Sequence, residues 1–567
     1  MVEKVLKMIN KEFHSTSQAA LVLGLFTLLS QVLALLRDRS LAHFLGPSAH
    51  LDVYYAAFKV PDLLYVSVGS LVSITVVIPF LIKRMENGGT EKENKEKASL
   101  FMNQLFTVFV WFIIVLSTLV FILMPKIANL IAPGFDPEET RELILMSRIM
   151  LFSPLFMGIS NVLGSITQYY KNFFLYSLSP VFYNLGIIFG VLFLYPILGI
   201  YGLGVGVVLG AIFHFAIQLP LVTKKGFLPK FVTKIDWKII REVSTTSLPR
   251  TLTLSLNTLT LLVITAIASS IAVGSISIFT FSYNLETVPL NIIGVSYSIA
   301  AFPLLAQAFA SGQIEKFVEH AISSAKQIIF WSIPATVLFI VLRAQIVRVI
   351  LGSGNFTWSD TRLTAAALAI FAISITLQGL TLLLIRSYYA AGKTKRPLFI
   401  NMFSSVLTIV LCFVLTDIYQ SNPNLHYAVS SFLRVENSFG TTILMLPLAY
   451  TMGATINFFI LWGFFKYDFL RENKNPLRKV FLQSFGASVV LGGISYMTLS
   501  VLGPLFGLDT FWGVFGQGLI AGIFGIIACV GILVAMKNRE MEEVMKALKR
   551  KISKSVTVAP GPEDLSA

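Results

Sequence analysis

The stretch SQVLALLRDRSLAHFLGPSAHLDVYYAAFKVPDLLYVSVGSLVSITVVIP, residues 30–79, joins the end of one apolar run to a second through a short polar reversal. Arg37, Asp38, Arg39, Asp52, Lys59 and Asp62 sit in or at the mouth of segments otherwise apolar enough to cross a bilayer. A charge at membrane depth costs about 2.5 kcal/mol or more, so such residues usually face a bundle interior or a water-filled path.

Working outward, the whole chain has the same character. Its 567 residues are 55% hydrophobic and 13% charged, with a mean hydropathy of +0.77, too apolar for a water-soluble fold of that length. Unbroken apolar runs, rather than ten-residue alternations, exclude a β-barrel and leave an all-α integral membrane protein. About fourteen windows reach the roughly 20 residues that a spanning helix needs, from 15–36 and 52–82 through to 480–502 and 514–536.

Charge then orients the helices. Of the 44 Lys and Arg, 32 fall in the N-terminus, the even-numbered connections and the C-terminus, 8 in the odd-numbered connections and 4 inside helices. The positive-inside rule places both termini in the cytoplasm. The net charge of +15 is therefore explained by topology and anionic membrane lipids rather than by nucleic acid. The basic segment Met1–Lys11 reads as the lead into a retained first helix, not as a signal peptide. Met541, Val544, Met545, Leu548 and Ile552 make one face of a surface amphipathic helix, and residues 556–567 read as disordered.

A repeat organises the bundle. Tyr55 to Pro61 in helix 2 matches Tyr283 to Pro289 in helix 8 in the spacing of Tyr and Pro, and Tyr169-Tyr170 closes helix 4 as Tyr388-Tyr389 closes helix 10. The expected layout is a cytoplasmic N-terminus (1–14), an N-lobe of helices 1–6 (15–222), a cytoplasmic linker (223–242), a C-lobe of helices 7–12 (243–466), helices 13 and 14 (480–536), and a cytoplasmic tail (537–567). Two six-helix halves of like orientation are the plan of alternating-access transporters, with the substrate bound between them.

No enzyme signature is present. Gly392-Lys393-Thr394 lacks the first glycine and the strand-to-helix context of a phosphate loop, the six histidines show no zinc spacing, and Cys412 and Cys529 lie inside apolar helices. Without a nucleotide site, a metal or another cofactor, transport would run on the membrane potential or a monovalent cation gradient. What remains is the set of intramembrane charges. Arg39, Asp52 and Arg148 read as rim residues reaching water, whereas Arg37, Lys59 and Arg386 read as cavity cations, suited to a phosphate by charge and, for arginine, by its planar fork. Asp38, Arg250, Asn284 and Glu286 complete the candidate substrate-binding set, to which Asp52 is added. Lys59 and Glu286 occupy adjacent repeat positions, placed to pair as a latch between the halves. Pro61, Pro79, Pro289 and Pro303 mark candidate hinges.

The residues resemble the MurJ (MviN) lipid II flippases of the multidrug/oligosaccharidyl-lipid/polysaccharide exporter superfamily. The match runs through Ser30, Arg37-Asp38, Asp52, Phe58-Lys59, Pro61, Leu63-Leu64 and Pro79. It continues through Ala132-Pro133-Gly134-Phe135, Pro289, Gly294-Val295, Pro303, Phe309-Ala310-Ser311-Gly312, Arg386, Tyr388-Tyr389-Ala390, Lys393-Thr394-Lys395 and Pro397. The resemblance implies fourteen helices in two lobes around a cationic cavity, a groove on helices 13 and 14 for a polyprenyl tail, and flipping of undecaprenyl-pyrophosphate-linked peptidoglycan precursor across a bacterial plasma membrane. It also implies cell-wall synthesis proteins as partners. The chain departs from the family pattern at Gln31, Tyr65 and Asn284, where arginines are usual, and at Ser70-Leu71-Val72. Lys59, Arg250 and Arg386 are then alternative sources of positive charge. Two other readings fit the same features: an exporter of another lipid-linked oligosaccharide or of drugs, and a membrane scaffold without transport.

Overall fold

The computed structural model of the chain describes residues 16–69, 72, 74–86, 90–436, 438–470, 476–506 and 510–546, without the side chains of residues 16–23, 74–76, 249 and 250. Among these residues there is no strand. In chain order the long helical runs are α1 (Thr16–Phe44), α2 in the pieces Ala49–Ala57, Lys59–Leu64, Tyr65–Gly69 and Ile74–Met85, α3 (Glu91–Ile131) and α4 (Pro137–Tyr169). They continue with α5 (Phe173–Leu198), α6 (Ile200–Lys224), α7 (Trp237–Ser269), α8 (Ser275–Ala310), α9 (Ile314–Val341) and α10 (Trp358–Ala372 with Ile375–Ala390). The last are α11 (Lys395–Ser421), α12 (Thr441–Phe469), α13 (Arg478–Leu502) and α14 (Phe511–Ala535).

Among the described residues 11 helices are long and apolar enough to cross a membrane, or 12 if the two segments of α10, bent by 45°, form one span. The fourteen sequence windows differ from this count at α1 and α2, parts of which lie outside the described residues. Several helices outrun their apolar windows. Thr90 accepts from the Glu93 amide while the Glu93 carboxylate accepts from the Thr90 amide, so α3 begins at Glu91, ahead of the apolar run that starts at Ala98. Asp236 caps α7 with its carboxylate alone, accepting from the Lys238 and Ile239 amides, within the expected 223–242 linker.

Two of the candidate hinges coincide with irregular backbone. Pro61 has no N–H to offer the Ala57 carbonyl, and α2 breaks at Phe58 and then widens into a π-helix over Tyr65–Gly69. Pro289 closes the regular part of α8, and a second π-helix follows over Leu290–Val295. Both copies of the Tyr-to-Pro spacing thus lie next to a π-helical turn. Pro79 and Pro303 are embedded in the unbroken helices Ile74–Met85 and Ser296–Ala310.

The chain falls into two compact units. The first takes residues up to Leu285 together with Ile350–Ile370 and Thr394–Asn457. Its core includes Val68, Val77 and Leu81 of α2, Phe101, Leu105 and Phe109 of α3, and Leu163 and Ile166 of α4. α5 and α6 meet along a glycine seam: a Cβ on Gly186 would lie 2.3 Å from the Gly210 Cα, and one on Gly190 2.6 Å from the Gly206 Cα. Such contact brings backbones together where lipid provides no hydrophobic drive for association. α7 packs on α11.

The second unit takes Glu286–Val349, Phe371–Lys393 and the chain from Phe458 onward. Here the later part of α8 packs on α9 and on the second segment of α10, and α9 packs on α13, which pairs with α14. A Cβ on Gly294 would lie 2.7 Å from the Gly379 Cα, so α8 and α10 also touch backbone to backbone. After α14, residues 539–546 are helical and Met541 is buried. The rest of the expected amphipathic helix and of the tail, from residue 547 onward, and residues 1–15 lie outside the described residues.

Candidate functional site

α1 continues through Phe44, so Arg37 and Asp38 project from regular helix rather than from a loop. The Arg37 Nη2 and Nε donate to Asp38 Oδ1 at 2.8 and 3.0 Å. Arg37 Nη1 reaches Asn184 Oδ1 on α5 at 3.4 Å, and Asn184 Nδ2 in turn donates to Ser30 Oγ at 3.2 Å. The other Asp38 oxygen accepts from Asn284 Nδ2 on α8 at 2.9 Å. The pair is unevenly buried, with Arg37 21% and Asp38 4% exposed at the side chain. Asp38 is therefore held from two sides while part of the guanidinium stays open, a positioned cation rather than a flexible one. Asn184 carries no motif; its one trace in the sequence is an amide inside the apolar run of α5.

Asp52 differs from its expected place at the rim. It is 2% exposed, and its carboxylate accepts from the Gly274 amide at 2.7 Å, the Ser277 amide at 2.8 Å and the Ser277 hydroxyl at 2.6 Å. The physical reason is the first turn of α8, whose amides have no partner within the helix and whose positive end attracts a carboxylate. Asp52 is thus engaged in anchoring α8 to α2. Arg39 Nη1 donates to the Ile350 carbonyl at 3.3 Å. Arg148 also departs from simple snorkelling: its Nε donates to the Phe121 carbonyl at 3.1 Å, and its guanidinium lies 4.5 Å from the Phe121 ring centroid.

On α2, Lys59 is half-buried and Asp62, three residues on, is exposed, while Pro61 between them is buried. Tyr65, standing where the family pattern has arginine, accepts at its hydroxyl from Asn161 Nδ2 at 3.1 Å, and a Cβ on Gly69 would strike its ring at 2.9 Å. His214, one of the six histidines without zinc spacing, is inside α6 and shares a 2.7 Å hydrogen bond with the Ser160 hydroxyl. Arg250 is on α7, but its side chain lies outside the described residues.

In the second unit Glu286 is fully buried. Its Oε1 accepts from Gln378 Nε2 at 2.8 Å, and that nitrogen also lies 2.9 Å from Ser374 Oγ. Gln378, on α10, supplies a partner within the same unit, distinct from the latch to Lys59 expected from the repeat. Glu286 Oε2 has no hydrogen-bond partner among the described residues. Arg386 is half-buried on α10. Direct hydrogen bonds among the candidates thus join Arg37, Asp38 and Asn284, and place Asp52 and Glu286 in separate settings. Among the described residues no three His, Cys, Asp or Glu side chains come together to hold a metal ion.

The model of the family described as lipid II flippase MurJ matches residues 41–514, a range that begins just after Arg37 and Asp38. A probable lipid II flippase MurJ of Rickettsia prowazekii is 27% identical over 406 residues, 70% of this chain and 78% of that protein. The lipid II flippase MurJ of Burkholderia cenocepacia is 23% identical over 488 residues, 84% and 89% of the two chains. Among solved structures, a lipid II flippase MurJ in an inward closed conformation superposes with a TM-score of 0.72 at 22% identity, covering 91% of this chain and all of that one. An inward-facing multidrug resistance transporter of the MATE family has a TM-score of 0.62 at 13% identity, over 79% and 96%. The two structures share the fold, and since the family model spans most of the sequence, the chain belongs to the lipid II flippase MurJ family.

Proposed function

We propose that this protein carries lipid II, the undecaprenyl-pyrophosphate-linked peptidoglycan precursor, from the inner to the outer leaflet of a bacterial plasma membrane. The family match over residues 41–514 is the observation that carries this reading. Both termini lie in the cytoplasm, and the N-lobe and C-lobe rock to expose the headgroup site alternately to each side. Arg37 provides the primary phosphate contact: Asp38 and Asn184 fix its plane, and its exposed edge donates charge-assisted hydrogen bonds to a diphosphate oxygen. Asn284 acts through Asp38 as a positioning residue. Lys59, Arg250 and Arg386 add positive charge, α13 and α14 take the polyprenyl tail, and the membrane potential or a monovalent cation drives the cycle. Cell-wall synthesis proteins receive the product.

The test is flipping of a fluorescent lipid II analogue in proteoliposomes. Arg37→Ala is expected to abolish it and Arg37→Lys to retain a fraction; unchanged flipping by Arg37→Ala would remove the assigned role. Failure to support growth of a flippase-depleted bacterium would count against lipid II itself. A second reading, export of a different lipid-linked oligosaccharide or of a drug, is favoured by Tyr65, whose hydroxyl is tied to Asn161 where the family pattern has a cation. Competition by other undecaprenyl-pyrophosphate sugars in the same assay separates the two.

A further inference from the structure

A cavity of about 360 Å³ lies within the first unit, between the C-terminal end of α2 and the N-terminal ends of α3 and α7. Its size falls within the roughly 300–1,000 Å³ of small-ligand sites. Lys83 and Arg84 line it from α2, Lys97 from α3, and Asp236 and Glu242 from the start of α7. Phe101 forms an apolar part of the wall. Arg84 is fixed there: its Nη1 donates to the Phe80 carbonyl at 2.9 Å and its guanidinium lies 4.2 Å from the Phe101 ring centroid. Glu242 and Asp236 are close enough to act on the charge of Arg84. Even so, no ion pair within 4.0 Å joins a cation of this cavity to one of its carboxylates among the described residues, so opposite charges face each other across an open space.

We propose that this cavity binds the headgroup of a zwitterionic aminophospholipid, with its phosphate on Lys83, Arg84 and Lys97 and its ammonium on Asp236 and Glu242. Position argues for a lipid. The apolar run of α2 ends at Ile82 and that of α3 starts at Ala98, so the cations stand immediately outside hydrocarbon, at headgroup depth. The aromatic wall then receives the glycerol and the first methylenes of the chains. Charge argues for a zwitterion, because a bare anion would leave two carboxylates facing it, whereas an ammonium satisfies them. The bound lipid would tie the ends of three helices together from outside the transport site.

The test is native mass spectrometry of the full chain in detergent, titrated separately with palmitoyl-oleoyl phosphatidylethanolamine, the matching phosphatidylglycerol, and inorganic phosphate. The wild type is expected to retain the ethanolamine lipid about tenfold better than the glycerol lipid, the scale of one charge-assisted contact. Lys97→Gln weakens both lipids. Glu242→Gln weakens only the ethanolamine lipid, which a merely structural role would not do. Both residues are exposed, so neither change removes packing. Equal retention of the two lipids by the wild type, an unchanged preference in Glu242→Gln, or displacement of lipid by inorganic phosphate would each overturn the proposal. None of these readouts depends on flipping activity.

Discussion

Asp52 receives two hydrogen bonds from Ser277, one from the amide at 2.8 Å and one from the hydroxyl at 2.6 Å, across 225 residues of chain. With the Gly274 amide, these make the carboxylate a cap for α8 supplied from α2. Asp52→Ala leaves three buried donors without an acceptor and is expected to cost about 3 kcal/mol or more, while Ser277→Ala, which removes only the hydroxyl, costs about 1 kcal/mol. Thermal unfolding of the detergent-solubilised protein should rank the variants in that order. Equal losses would show that the cap is not the source of the effect.

Arg148 supplies the Phe121 carbonyl with the donor that Pro125, four residues further along α3, lacks. In lipid there is no water to do this instead. Arg148→Met is expected to destabilise by about 1–3 kcal/mol. In a Pro125→Ala background, where an amide becomes available inside the helix, most of that loss should vanish. Additive losses in the double variant would rule out the compensation.

The uneven burial of Arg37 and Asp38 predicts asymmetry. Removing Arg37 strands a carboxylate that is only 4% exposed, a change that costs about 3–5 kcal/mol when one partner of a buried pair is lost. Removing Asp38 costs less, because the Arg37 side chain is 21% exposed and keeps its contact to Asn184. Asp38→Ala should therefore retain more folded protein than Arg37→Met, and Arg37→Met with Asp38→Leu should recover part of the loss. Chemical denaturation in mild detergent would read the order.

The seam between α5 and α6 is intolerant of a single methyl group. Gly206→Ala sets a Cβ 2.6 Å from the Gly190 Cα and is expected to cost about 1–3 kcal/mol through overpacking. Gly24→Ala on α1 has nothing within 4 Å and should be neutral or stabilising, by up to about 1 kcal/mol from helix propensity. Thermal stability of the two single variants decides the matter, and a tolerated Gly206→Ala would refute close backbone contact.

The all-α membrane fold is legible because the hydrophobicity of a bilayer span is a local property, and the irregular turns beside Pro61 and Pro289 are legible because a missing N–H acts on its own helix. Arg37 is legible for the same reason, as a charge where lipid should be. The role of Asp52 is not, since a carboxylate at the edge of an apolar run looks alike whether it meets water or a helix terminus 222 residues away. Asn184 escapes notice because its importance lies in partners on another helix. The full length of α3 is hidden in a hydropathy profile, because its first turns leave the hydrocarbon and are held by the Thr90–Glu93 box instead.

Arg148 has a neighbour with a parallel task. The Ser147 hydroxyl stands 3.5 Å from the Ala57 carbonyl, at the limit of hydrogen-bond distance, and that carbonyl is the one left open by Pro61. Adjacent residues point roughly 100° apart around a helix, so Ser147 addresses α2 while Arg148 addresses α3. Rolling α4 against either neighbour would bare a carbonyl to hydrocarbon. Two adjacent residues of α4 thereby hold both proline-weakened points, at Pro61 on α2 and at Pro125 on α3, from a single turn of helix.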